Sequence, residues 1–242
     1  MSAELTLNTI VAYWDVDRDN LLGLPAVFKF LQEAAIKHAD QFGAGTRAME
    51  TRGESWVLNR MAAEIRRYPK YEEAVRILTW SGGIRAFKGY RDFRVYCGSE
   101  LVLSASSLWL YVNMTTKSLI RVPDEVASSF PSRPGEEFRP GLEKLRLTAP
   151  VAGTPPACRV SVRYSDFDGN GHVNNTTYFD ILQTALARSG LPTRPSTVEA
   201  QFLKEIPPEV EWVDVYLERR ELAVIFGIGA PGALFAQGQV HE

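Results

Sequence analysis

The sequence predicts an α+β fold in which one unit, a helix followed by an antiparallel sheet, is built twice. The first observation is an internal match: Tyr13-Trp14-Asp15-Val16-Asp17 lies over Tyr164-Ser165-Asp166-Phe167-Asp168 at an offset of 151 residues. At that offset Leu31-Gln32 falls on Leu182-Gln183 and Ala34 on Ala185. The second is a further block in the same order, matching Ser55, Val57, Glu64 and Ile65 with Ser196, Val198, Glu205 and Ile206. The third is that strand-like, helix-like and again strand-like periodicities follow one another in each half.

Each half opens on a short strand, LTLNTIVAY and later ACRVSVRY, which leads into an Asp-x-Asp loop. A helix of about five turns follows. In the first half Val27, Leu31, Ala34, Ala35 and Phe42 form its apolar stripe and Gly43 suits its end. In the second, Tyr178, Ile181, Leu182, Ala185, Leu186 and Ser189 recur at three and four residues, before Gly190-Leu191-Pro192. Residues 56–66, 74–81, 85–96 and 101–113, then 197–206, 210–218, 221–228 and 232–240, read as strands. Ser81-Gly82-Gly83 and Gly98-Ser99 are expected hairpin turns. The sheet is the partner against which each helix buries its stripe. We expect an N-terminal unit over 1–125, a Pro-, Ser- and Gly-rich linker over 126–158 and a C-terminal unit over 159–242.

Composition narrows the function. A hydrophobic share of 45% and a charged share of 23% are those of an ordinary soluble globular chain. A net charge of −2 argues against nucleic acid as a partner. A local basic bias exists: residues 60–94 hold nine Lys/Arg against four acids, a solvated strand face or a docking surface. Cys97 and Cys158 stand far apart, in no metal-ligand or disulfide pattern, which suits a reducing cytoplasm. The start, MSAELTLNTIVAY, lacks a signal-peptide pattern. LAVIFGIGAPGALFA at 222–236 is too short to span a bilayer and reads as two strands around a turn.

The chemistry concentrates in YSDFDGNGHVNN, residues 164–175. Asp166, Asp168, Asn170, Gly171 and Val173 begin like a calcium loop, but its twelfth position, Thr177, lacks the bidentate carboxylate and a strand precedes it. As a catalytic loop, Asp168, Asn170 and His172 alternate, so an extended chain would point them one way. A helix N-terminus follows, favourable to developing negative charge. A carboxylate, an amide and an imidazole could activate water and hold a carbonyl without a nucleophilic Ser or Cys. The first half carries Asp17, Asp19 and Leu21 at the corresponding places, so only one copy would do chemistry. A polar loop that merely caps its helix stays open. Glu64, aligned with Glu205, reads as structural or pocket-lining, and His38 as a satisfied core histidine. His241 is expected to fray. The five tryptophans read as core or sheet residues rather than binding platforms.

The chain resembles the acyl-[acyl carrier protein] thioesterases along nearly its whole length. The resemblance rests on Asp168-x-Asn170-x-His172-Val173-Asn174-Asn175 and on Trp56-Val57-Leu58-Asn59-Arg60-Met61 followed by Arg67-Tyr68-Pro69. It rests also on Ser107-Leu108-Trp109-Leu110, Thr116-Lys117-Ser118-Leu119 before Val122-Pro123, and Lys204-Glu205. It implies a tandem hot-dog fold and hydrolysis of fatty acyl thioesters on an acidic carrier protein, with no metal and no organic cofactor. Asp168, Asn170, His172 and Glu205 match the family's catalytic set, Glu205 coming from the strand after the second helix. By the resemblance, Glu205 and His172 activate water, Asn170 positions the thioester and Asp168 orients its neighbours. Where some relatives have a cysteine after this glutamate, the chain has Ile206. Plastid members carry a transit sequence, so a bacterial, cytoplasmic form is expected here. The alternatives are a thioesterase for acyl-coenzyme A, or a non-catalytic acyl- or calcium-binding module. Tandem fusion supplies the pairing that single hot-dog domains obtain by dimerising, so a monomer and a homodimer are equally expected.

Overall fold

The computed structural model describes residues 3–242. Strand β1 (Glu4–Ile10) leads through a 3₁₀ turn at Tyr13–Asp15 into α1 (Leu24–Asp40). A short helix, α2 (Thr46–Arg52), and four strands follow: β2 (Glu54–Ile65), β3 (Ala74–Arg85), β4 (Lys88–Cys97) and β5 (Glu100–Asn113). After α3 (Asp124–Ser129) the second copy repeats the order, with β6 (Cys158–Ser161), a 3₁₀ turn at Tyr164–Asp166 and α4 (Thr177–Arg188). It closes with β7 (Thr197–Phe202), β8 (Trp212–Arg219), β9 (Val224–Ala230) and β10 (Ala233–His241).

All the strands join one antiparallel sheet in the order β1-β3-β4-β5-β2-β7-β10-β9-β8-β6. The copies meet where β2 pairs with β7, from Arg60 opposite Gln201 to Glu64 opposite Thr197. Both helices pack on one face of this sheet and share a core. Pro25 suits the first turn of α1, where its missing N–H costs nothing. The spacing of Val27, Leu31, Ala34 and Ala35 lays one buried stripe along the helix. Phe28 of α1 stacks on Phe179 of α4 with ring centroids 3.5 Å apart, which locks the helices side by side. Each such ring, once buried, contributes about 1.5–3 kcal/mol.

The repeat holds bond by bond. Val16 bridges Leu22, and Phe167 bridges Val173. The Asp17 N–H donates to Leu21 O at 2.8 Å and the Asp168 N–H to His172 O at 2.9 Å. Asp19 N–H reaches Asp17 Oδ1, and Asn170 N–H reaches Asp168 Oδ1, each at 2.9 Å.

Several elements differ from the sequence expectation. Ser81-Gly82-Gly83 is not a turn: it lies inside β3, where the register with β4 shifts, and the hairpin turns at Ala86 instead, with φ of 55°. Gly98, at φ 58°, does turn the next hairpin. Helix α4 has 12 residues, little over three turns. Phe42 lies beyond α1 and packs with Phe130 in a smaller cluster. His241 is held in β10, where its carbonyl accepts from the Ser196 N–H at 2.9 Å.

The segment after α3 crosses the sheet face opposite the helices. Leu142 packs there on Ala62 and Leu108. The Phe138 N–H donates to Asp92 Oδ1 at 3.0 Å, and Arg139 reaches Glu199 of the second copy at 2.8 Å. Between β4 and the helices, His38 is wholly buried. Its Nδ1 lies 2.8 Å from Arg91 Nη1, so it is a core histidine, but its buried Nε2 has no hydrogen-bond partner among the described residues and the expected satisfaction holds at one nitrogen only. Burial, then Arg91, pushes its pKa down to about 4, against a smaller opposite pull from the Ala3 backbone. A neutral ring can therefore accept the guanidinium N–H. Burial lowers Arg91 itself to about 10.

Candidate active site

The loop between β6 and α4 is a compact turn rather than an extended chain. The Gly171 N–H donates to Asp168 O at 3.0 Å, and Gly171 takes φ of 78°, a left-handed angle natural to glycine. The simple alternation of Asp168, Asn170 and His172 therefore does not apply. The turn instead presents Asp168 and Asn170 to one space and His172 to another.

That first space is a cavity of about 490 Å³. Gln32, Ala35 and Ala39 of α1, Trp56 of β2, Gly89 and Arg91 of β4 and Trp109 of β5 line it, and Asp168, Asn170, Asn174 and Asn175 close one end. Its size and mixed lining suit a largely apolar small ligand with a polar end. Trp56 and Trp109 thus wall a pocket, contrary to the reading of the tryptophans as plain sheet residues. Trp14, 86% exposed, is no core residue either.

The second space holds His172 and Glu205. His172 Nε2 lies 2.9 Å from Glu205 Oε2, with side chains 23% and 38% exposed. Glu205 is not on a strand: β7 ends at Phe202, and Glu205 sits three residues further on, before the wholly buried Ile206. Burial of Ile206 anchors the loop and points the carboxylate at the imidazole. Neither His172 nor Glu205 lines the cavity; His172 follows the lining residue Asn170 by two positions in the chain.

Asn174 braces the loop at the cavity end. Its Nδ2 donates to Asp168 Oδ2 at 3.3 Å, and its Oδ1 accepts from the Thr176 N–H and hydroxyl at 2.9 and 2.8 Å. Asp168 is thereby held between two donors, the Asn170 and Asn174 groups, at the approach to α4. Asp166, buried, accepts instead from the Arg163 N–H and guanidinium at 2.7 Å. It shapes the loop and takes no part in the cavity.

In the first copy the corresponding carboxylates are tied up. Asp17 and Asp19 each bind Arg194 at 2.7 Å, and Leu21 stands where His172 stands. The alignment of Glu64 with Glu205 does not survive. Arg66 and Arg67 N–H both go to Val102 O, and Leu203 and Lys204 N–H both go to Phe235 O, which matches Arg67 with Lys204. Glu64 lies inside β2, outside the cavity, and pairs with Arg66 at 2.8 Å.

One residue at this site was missed as a functional group. Lys117 Nζ lies 3.7 Å from Glu205 Oε2 and 3.4 Å from His172 Nε2. The sequence shows it in a polar run after a strand, part of the family resemblance but with no role assigned to it. Nothing in that run signals its left-handed backbone, with φ of 53°, or its reach across to the second copy.

Among the described residues no group of three or more metal-ligating side chains gathers, at this loop or elsewhere. Nor is any helix long and apolar enough to cross a membrane.

Comparison with known proteins agrees with this architecture. The acyl-ACP thioesterase N-terminal domain model matches residues 5–130 and the corresponding C-terminal domain model residues 155–221. An oleoyl-acyl carrier protein thioesterase of Arabidopsis thaliana is 31% identical over 190 residues, 70% of this chain and 50% of that protein. An acyl-[acyl-carrier-protein] hydrolase of Cuphea viscosissima is 28% identical over 215 residues, covering 81% and 48%. The chain spans about half the length of the curated relatives it matches. Among solved structures, an acyl-ACP thioesterase from Bacteroides thetaiotaomicron superposes with a TM-score of 0.85 at 20% identity, over 100% of this chain and 99% of that one. The 12:0-ACP thioesterase of Umbellularia californica gives 0.81 at 19%, over 100% and 97%. These superpositions carry the tandem hot-dog fold, and with the two domain models matched in order, the chain belongs to the acyl-ACP thioesterase family.

Proposed function

We propose that the protein hydrolyses fatty acyl thioesters carried on acyl carrier protein, releasing the free fatty acid and the carrier thiol. The observation that carries this reading is the His172–Glu205 pair, whose imidazole stands on the same loop as Asp168, Asn170, Asn174 and Asn175, which line a 490 Å³ cavity. The acyl chain occupies the cavity between α1 and the sheet, and the thioester carbonyl stops at the amides. Water adds to the carbonyl carbon, and its proton passes to the His172–Glu205 pair. The resulting oxyanion is met by amide N–H donors and the N-terminal end of α4. The C–S bond then breaks, and the departing thiolate takes the proton back from the pair. Asp168, fixed by its two donors, holds the Asn170 turn in place.

The basic bias of residues 60–94 is only partly available to an acidic carrier. Arg66 pairs with Glu64, Arg67 with Glu73 and Glu100, and Arg91 is buried. Arg85 and Lys88 flank the β3–β4 turn and make no ion pair among the described residues. That turn lies beside the segment after β5, since the Val122 N–H donates to Ala86 O at 2.9 Å. We assign the carrier's docking face to Arg85 and Lys88 at this turn. We keep the units at 1–125 and 159–242 as part of this proposal, with the cavity walls mainly in the first and the acid/base pair in the second.

The test is hydrolysis of one acyl group on carrier protein and on coenzyme A. Glu205→Gln and His172→Ala should each lower kcat by about 10² or more on both substrates. Retained activity in both variants would remove this mechanism. A preference for the coenzyme A substrate would select the alternative thioesterase.

A further inference from the structure

We propose that Lys117, a residue of the first copy, is a positioning residue for the acid/base pair of the second. This rests on the thioesterase reading above. The ammonium sits against the seam of the His172–Glu205 contact, 3.7 Å from Glu205 Oε2 and 3.4 Å from His172 Nε2. A carboxylate oxygen held by an imidazole nitrogen at 2.9 Å and attracted by an ammonium at 3.7 Å has one settled orientation. Without the ammonium, Glu205 sits in a loop with 38% of its side chain exposed, free to rotate towards water.

The loop that delivers Lys117 is built for the purpose. Asn113, the last residue of β5, accepts through Oδ1 from the Thr115 N–H, the Thr116 N–H and the Thr116 hydroxyl at 2.9–3.1 Å. The Asn113 N–H donates to Ser118 O at 3.0 Å, which closes the turn on its other side. Lys117, at the apex, is forced to φ of 53°. A lysine in the left-handed region is strained where glycine would not be. The strain is retained at a position from which the side chain reaches both Glu205 and His172. The flexible stem of lysine, 52% exposed, spans the gap between the copies and leaves the cavity clear.

The ammonium thereby couples the two halves. The acyl-binding half supplies the charge that orients Glu205, so the pair is set only when both copies are docked through β2 and β7.

Lys117→Gly separates orientation from loop folding, because glycine adopts φ near 53° without strain. It should leave thermal stability unchanged or raised, while kcat falls about tenfold or more and KM stays within twofold. Lys117→Arg, which restores a cation, should recover most of kcat. In a Glu205→Gln background the further change Lys117→Met should cost nothing more, since it acts through the carboxylate. Wild-type kcat in Lys117→Gly, or a full additional loss in the double variant, overturns the proposal. In that event, lost activity in Glu205→Gln and His172→Ala leaves the thioesterase reading standing. Retained activity in those two single variants removes the reading itself.

Discussion

Leu21 and His172 occupy the same place in the two copies: each lends its carbonyl to the N–H of the aspartate four residues before it, Asp17 or Asp168. One backbone frame thus carries an aliphatic side chain in the first copy and an imidazole in the second. The frame does not make the site; what surrounds it does.

A transplant tests this. Leu21→His in a His172→Ala background should restore no thioester hydrolysis. The corresponding acid is absent, because the first-copy loop after β2 runs through Arg67-Tyr68-Pro69-Lys70. Leu21 bridges Lys70 in that loop, and the Glu73 carboxylate there is already held by Arg67 and the Lys70 N–H. A stability loss of about 1 kcal/mol should accompany the change, from the apolar contact removed.

Arg194→Ala should act on stability alone. It releases Asp17 and Asp19, both held at 2.7 Å, and leaves the two carboxylates facing each other. A fall in Tm of a few degrees, about 1 kcal/mol, with kcat and KM unchanged on the acyl-carrier substrate, is the expected outcome.

The cavity can be reshaped from β4 in both directions. A Cβ on Gly89 would lie 2.9 Å from the Trp56 ring, so Gly89→Ala pushes that ring into the acyl space. The released fatty acids should then shift to shorter chains. Arg91 is a polar group on the cavity wall, held by His38 and by Thr79 Oγ1 at 3.2 Å. Arg91→Met removes a charge that an alkyl tail avoids and should shift the products to longer chains. Chromatography of the products from a mixed acyl-carrier pool reads both.

His38 and Asp92 bend the pH dependence of stability in opposite senses. His38 titrates near 4 in the fold against 6.5 otherwise, so the unfolded chain takes up its proton first as pH falls. Its contribution is complete above about 6.5 and is lost towards 4. Asp92 is raised by burial from 3.8 to about 6, against the pull of Ser106 and the Phe138 N–H, with Glu137 adding to the rise and Arg91 opposing it. Its contribution is complete below 3.8 and is lost as pH rises through about 6. The slopes oppose each other between pH 4 and 6. His38→Gln should leave a fall in stability of about 2 kcal/mol as pH rises over that window, and Asp92→Asn a rise of similar size. Urea midpoints at pH 4.5 and 6.5 measure both.

The layout of the fold was legible because it is written in local pattern. The offset of 151 in Tyr-x-Asp-x-Asp survives as identical backbone bonds in both copies. The apolar spacings of Val27-Leu31-Ala34 and Ile181-Leu182-Ala185 became the buried faces of α1 and α4. Gly83, with φ of 114° inside a strand, was misleading because a bulge and a turn ask for the same residue. Glu64 was matched with Glu205 by identity, and only the hydrogen bonds around Val102 and Phe235 moved the match.

The sequence by itself determined the duplication, the α+β class and the polar loop in which Asp168, Asn170 and His172 stand. All of these follow from periodicity and short-range chemistry. Only the tertiary structure decided that Glu205 meets His172 at 2.9 Å, that Asp168 and Asn170 turn to a cavity the pair does not line, and that Lys117 arrives from the other copy. Those meetings depend on β2 pairing with β7 and on one residue forced into a left-handed turn. Contacts between residues 33 to 88 positions apart in the chain are set by packing, and no local pattern records them.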